Sequence, residues 1–184
     1  MITYKVQVTE DSTTWYINGK MHREDGPAIE HSDGCKYWYI NGKLHREDGP
    51  AVEYSDGTKY WYINDELHRE DGPAIEHSNG SKVWYINGKQ HREDGPAIED
   101  SDGTKAWFVN GKRHREDGPA IEYPNGIKEW YITSRRWSSC SDGIKEWYIN
   151  GVELTEAAFN SRLAKPCTGK VIEVDGIKYK LTAV

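Results

Sequence analysis

The heptapeptide HREDGPA begins at His22 and returns unchanged at His45, His68, His91 and His114. An imidazole, a guanidinium and two carboxylates in succession are the groups that general acid–base catalysis uses, and His with Asp or Glu is also a metal-ligand set. The identical recurrence argues against both. A reaction needs unlike groups converging on one point and used once. A residue that returns in every unit of a repeat meets the same surroundings each time, so it belongs first to the machinery that stacks the units. Two strands per unit would advance a sheet by about 9.5–10 Å, which places successive imidazoles about 10 Å apart, too far to share a zinc ion bound at about 2.0–2.1 Å. The expectation is therefore a structural ladder, with each His bonded to a turn and each Arg paired with an acid of its own or the next unit. Its expected members are Trp38, Trp61, Trp84, Trp107, His45, His68, His91, Arg46, Arg69 and Arg92.

The elements that position these groups follow from the same repetition. Trp15, Trp38, Trp61, Trp84, Trp107 and Trp130 recur every 23 residues, and a fixed period in the twenties means stacked structural units. Within a unit, KYWYIN (Lys36 to Asn41) is rich in aromatic and β-branched residues and reads as a strand. Asn41-Gly42 is a type I′ hairpin signal, followed by a brief strand, KLHR. Glu47-Asp48-Gly49-Pro50 breaks the chain, since Gly permits positive φ and Pro removes a donor. Ala51 to Tyr54 is the next strand, and Ser55-Asp56-Gly57 the next hairpin turn. No helical period runs through residues 1–150.

The ends differ. ITYKVQV alternates over one strand length and caps the first unit. Trp147 follows Trp130 by only 17 residues, with an irregular loop, TSRRWSSC, where the HREDGPA portion should be. ELTEAAFNSRLAK (Glu153 to Lys165) reads as a helix with Thr155 as N-cap and Pro166 as terminator. GKVIEVDGIKYKLTAV then reads as a hairpin around Asp175-Gly176. The expected architecture is all-β: an elongated single-layer antiparallel β-hairpin array with a small C-terminal helix and hairpin cap. Residues 1–14 form the N-terminal capping strand, 15–150 six to seven units with the last degenerate over 133–146, and 151–184 the C-terminal cap.

Composition supports a thin fold. Apolar residues make up 36% of the 184, while aromatics reach 12%, nearly all Trp and Tyr; large amphipathic rings on half-wet sheets fit this better than a core of Leu, Ile and Val. A net charge of −6 spread along the chain offers neither a nucleic-acid stripe nor a polybasic membrane patch. No run of about 18 apolar residues is present to span a membrane, and MITYKVQV lacks the apolar region of a signal peptide. Cys35, Cys140 and Cys167 are odd in number, far apart and without a CxxC pair, which reads as free thiols in a reducing compartment. The expectation is a cytoplasmic protein without cofactor or metal. It is also not an enzyme, since no nucleophile elbow, P-loop, dinucleotide fingerprint or metal motif occurs.

If constant positions build the scaffold, varying positions carry recognition. The residue before each Trp reads Thr14, Tyr37, Tyr60, Val83, Ala106, Glu129 and Glu146, a mixture that suggests a wet position. The residue after each IE or VE reads His31, Tyr54, His77, Asp100 and Tyr123, and the residue before each repeated His reads Met21, Leu44, Leu67, Gln90 and Arg113. Candidate partner-binding residues are Tyr37, Tyr54, Tyr60, His31 and His77, which gather in the first half, and Arg113. Arg135, Arg136 and Trp137 join them, because Arg and Trp are favoured hot-spot types and a break in a regular repeat often marks function. Cross-strand packing is the competing account of every ring row.

The pieces WYINGK and HREDGPA, over about residues 13–165, resemble a repeat family of bacteriophage, large-virus and bacterial proteins that is distantly similar to MORN and MORN-variant repeats. The resemblance implies an elongated hairpin array, often of phage origin, and supplies no catalytic residues. Together these readings point to a non-enzymatic scaffold that binds, and by binding inhibits, a host protein such as a defence component, in the host cytoplasm if phage-encoded. The alternative is sequestration of a nucleotide-type small molecule by aromatic and Arg surfaces, for instance at a dimer junction formed by self-association.

Overall fold

The computed structural model describes residues 3–115, 118–132, 135–139, 145–149, 152–154, 171–174 and 177–180, with side chains up to Glu129. Each unit is built from its two turns outward. Asn41 and Gly42 both adopt positive φ (54° and 82°), as a type I′ turn requires, and join Tyr39–Ile40 to Lys43–Leu44. At the other end of the unit Gly57 (φ 90°) closes a wider turn, in which Tyr54 N–H donates to Thr58 O and the Asp56 carboxylate accepts Thr58 N–H. This turn joins Val52–Glu53 to Lys59–Tyr60.

The Trp strand is not continuous, contrary to the sequence expectation. Lys36–Tyr37 and Tyr39–Ile40 are separate strands interrupted at Trp38, and the same break recurs at Trp61, Trp84 and Trp107. Trp38 keeps its backbone bonds, donating to Ala51 O (2.8 Å) and accepting from His45 N–H (3.1 Å). Past His45 the chain leaves the ladder, and Arg46 N–H donates to Tyr62 O of the next unit (3.1 Å). One half of every unit enters a 16-stranded antiparallel sheet whose order follows the chain from Lys5–Val8 to Val152–Leu154. The other half forms a row of small two-stranded hairpins along its side.

Register gives the large sheet two unlike faces. Glu30, Lys36, Glu53, Lys59, Glu76, Lys82, Glu99, Lys105, Glu122 and Lys128 follow one another across the strands, an alternating charge row on one face. The neighbouring row, on the opposite face by strand alternation, runs Ile29, Tyr37, Val52, Tyr60, Ile75, Val83, Ile98, Ala106, Ile121 and Glu129. The core is correspondingly thin. Ala28, Ala51, Ala74, Ala97 and Ala120 are completely buried, and among the described residues no large side chain is. The last residue of each HREDGPA is thus a buried methyl, and the close packing of an interior penalises a larger side chain there.

The position before Trp is wet nowhere among the described residues: Thr14, Ala106 and Glu129 are only 8%, 5% and 4% exposed, and Tyr37, Tyr60 and Val83 are half-buried. Nor are the described residues of TSRRWSSC an irregular loop. Arg135–Ser139 is a five-residue strand between Lys128–Ile132 and Lys145–Ile149, with Trp137 in register with Trp130 and Trp147. Lys128–Ile132, Arg135–Ser139 and Lys145–Ile149 run unbroken, as does Ser12–Ile17 through Trp15. At the C-terminus Glu153 and Leu154 lie in the strand Val152–Leu154 rather than in a helix, and the remainder of the expected helix falls outside the described residues. Val171–Val174 and Ile177–Lys180 pair as the expected hairpin. Among the described residues no helix is long and apolar enough to cross a membrane.

Candidate functional site

The heptapeptide forms a clamp. The Arg46 guanidinium carbon lies 4.2 Å from the centre of the Trp38 ring, a cation–π stack. Its Nε donates to Asp48 (2.9 Å) and its Nη1 to Pro50 O (3.2 Å) and Glu53 (3.4 Å). A Cβ on Gly49 would stand 2.8 Å from the guanidinium carbon, so Gly49 is needed for close approach, not for positive φ as expected. Trp and Gly thus hold the guanidinium from two sides. The stack repeats for Arg23, Arg69, Arg92 and Arg115 on Trp15, Trp61, Trp84 and Trp107 at 4.0–4.2 Å. The hydrogen bond from Arg holds the carboxyls of Asp25, Asp48, Asp71 and Asp94 below the usual carboxylate range.

The imidazoles join one unit to the next. His45 Nδ1 accepts the backbone N–H of Asn64 (3.3 Å), the first turn residue of the following hairpin, and His22, His68 and His91 do the same for Asn41, Asn87 and Asn110. The Nδ1 of His22, His45 and His68 also lies 3.1, 3.2 and 2.9 Å from the side-chain Oδ1 of the same Asn, so each ring meets both backbone and side chain of the turn. The expected roles of His and Arg are therefore those observed. On the far side of the sheet, Thr58 Oγ1 and Ser81 Oγ accept the N–H groups of Ser78 and Ser101 in the next turn. Cys35 occupies the equivalent place, buried, with its sulfur 3.8 Å from Ser55 Oγ. Among the described residues no group of three or more His, Cys, Asp or Glu is placed to hold a metal ion.

On the face opposite the charge row, the five first-half candidates come together. His31, Tyr37, Tyr54, Tyr60 and His77 form one continuous edge-to-face series with centroids 5.6, 6.0, 5.7 and 6.0 Å apart. Tyr54 is 40% exposed, one of the few large apolar side chains to stand out from the surface. Burial and the adjacent Tyr54 push the Tyr37 hydroxyl up to about 12, and burial also raises Tyr39, Tyr60 and Tyr62. Tyr62 stacks on Tyr60 at 6.4 Å and extends the series onto the small hairpins. The candidate list omitted Tyr62, although strand alternation already placed it two residues from Tyr60 on the same face.

The same rows continue with Val83, Asp100, Ala106, Tyr123 and Glu129, where only Tyr123 carries a ring and its hydroxyl donates to Glu129 (3.4 Å). Arg113 is elsewhere, on the strand Lys112–Arg113, with its guanidinium 6.0 Å from the Phe108 ring. Arg135, Arg136 and Trp137 sit on a strand whose side chains lie outside the described residues. The assembled surface offers ring edges and phenol hydroxyls for contact and hydrogen bonding. No family model matches the chain, and no curated protein matches it.

Proposed function

We propose that the protein is a non-enzymatic repeat scaffold, of the phage-type WYINGKxHREDGPA kind, whose ring-bearing face between His31 and His77 binds a partner protein and inhibits it. If the chain is phage-encoded, a host protein is the partner. The observation that carries this reading is the uninterrupted series of five rings in the first half of the array, without a counterpart among the described side chains of the second. The repeated Trp, Arg, His and Ala are engaged within and between units, whereas these rings vary from unit to unit. Aromatic side chains supply much contact area at low conformational cost, which is why they concentrate at protein interfaces. The nucleotide alternative is less well supported: the rings meet edge to face, so their faces abut neighbours, and the described Arg stacks fall on Trp and Phe rings.

The second half supplies its own control. Tyr37→Val, Tyr54→Asp and Tyr60→Ala copy the residues at the equivalent positions Val83, Asp100 and Ala106, which the fold already accommodates. Parent and triple variant are each used to co-purify partners from host lysate, with quantitative mass spectrometry. The expected result is a specific partner whose recovery falls at least tenfold with the variant. Equal recovery by both proteins overturns the assignment to this face.

A further inference from the structure

The strand that caps the first unit is itself left as an edge. Lys5–Val8 stands first in the 16-stranded sheet, and among the described residues no strand pairs with its outer side. All four of its residues are exposed. Three large apolar side chains stand exposed among the described residues, and two of them are Val6 and Val8, at 47% and 72%. Natural edges are blunted by Pro, by a bulge or by charge. This one has no Pro, runs in register against residues 13–16 without a bulge, and carries one charge, Lys5. Both its ends are anchored: the Tyr4 hydroxyl accepts the Glu24 N–H (3.3 Å), and Thr9 N–H donates to Ser12 O (2.9 Å).

Register decides which backbone groups that edge offers. Trp15, opposite Val6, donates its N–H to Ala28 O and accepts the His22 N–H, both on the side away from Lys5–Val8. Opposed residues that do not bond each other turn their N–H and C=O outward. Val6, and Val8 two residues on, therefore present theirs to the open edge. These groups are self-complementary. A second copy running antiparallel about a two-fold axis at Gln7 sets Val6 opposite its Val8 and Val8 opposite its Val6. Each pair exchanges two N–H···O bonds, so every outward group of both strands is used. Lys5 then faces Thr9 of the second copy, no like charges oppose, and the four valines lie together on one face. Any extended strand could take the backbone bonds, but the matched valines and the two-fold register select the same strand of another copy. We infer that the outer edge of Lys5–Val8 is a dimerisation site, at which two copies of this chain pair edge to edge into one continuous antiparallel sheet. The axis stands perpendicular to that sheet, so the ring series of both copies face the same way, with the Ile29–His31 strands five strand spacings, about 24 Å, apart.

The contact is small, so its dissociation constant should lie on the order of 10–100 µM, and sedimentation of the full chain from ~5 to ~500 µM should pass from monomer to dimer. Val6→Lys/Val8→Lys and Val6→Glu/Val8→Glu each set like charges opposite one another and should stay monomeric alone. Mixed in equal amounts they set Lys opposite Glu, and the dimer should return. Val8→Pro removes one outward N–H, leaves the bonds to Ser12–Ile17 in place, and should weaken association about tenfold. The ring-face triple variant should dimerise as the parent does. A parent that stays monomeric to the top of the range, charged variants that remain apart when mixed, or a Val8→Pro chain that dimerises undiminished overturns the site. So does loss of the dimer in the ring-face variant, which would put the contact on the ring face. Should Val8→Pro lose the circular dichroism of the sheet, the mixed charged variants decide alone.

Discussion

The two halves of the array share one scaffold and differ on one face. In the first, His31, Tyr37, Tyr54, Tyr60 and His77 form an unbroken ring series, and in the second Val83, Asp100, Ala106, Tyr123 and Glu129 occupy the same rows. Beneath them the clamp is the same: Arg46 and Arg92 stand 4.2 and 4.1 Å from their Trp rings and make the same hydrogen bonds. The backbone therefore does not depend on what the face displays. Each unit is stabilised by contacts within itself and with its neighbours.

The largest effects should fall on the shared scaffold, equally in both halves. Arg46→Leu and Arg92→Leu each remove a cation–π stack and strand Asp, Glu and a prolyl carbonyl, and each should cost about 2–4 kcal/mol in urea denaturation. A difference between them above about 1 kcal/mol would mean that the rings contribute to the clamp, and the separation of scaffold from face would fail. Gly49→Ala and Gly95→Ala should cost less, about 1–2 kcal/mol, because the new methyl, 2.8 or 2.9 Å from the guanidinium carbon, displaces the Arg without deleting it. The double variant Gly49→Ala/Arg46→Leu should then cost little more than Arg46→Leu alone, a non-additivity that a double-mutant cycle reads directly.

The smallest effect separates the halves. A phenol whose folded pKa is raised stabilises the fold fully below its unfolded value, near 10, and that contribution is lost as pH rises through the folded value. For Tyr37 the window is pH 10 to about 12, and Tyr39, Tyr60 and Tyr62 shift in the same direction. Phenolate absorbance should show a late-ionising group of tyrosines that diminishes in the Tyr37→Val/Tyr54→Asp/Tyr60→Ala variant. A late phase of unchanged size would show that the ring series does not shield its own hydroxyls.

Much of this was legible in the chain. The 23-residue spacing of Trp gives the array, Asn-Gly and Asp-Gly give both turns, and the invariance of HREDGPA assigns it to stacking, because those signals are local and repeat often enough to average out noise. Strand alternation also brings His31, Tyr37, Tyr54, Tyr60 and His77 to one face. The tertiary structure alone decided that the Trp strand breaks at Trp38, Trp61, Trp84 and Trp107, that the position before Trp is buried at Thr14, Ala106 and Glu129, and that Gly49 makes room for a guanidinium. It also turned Arg135–Ser139 from a loop into a strand. Each of these depends on a neighbour reached through space: a backbone bond passed to the next unit, the adjacent strands covering a row, an arginine folded back on its own loop. Periodicity names the units, but the contacts between them are fixed only when the units stack.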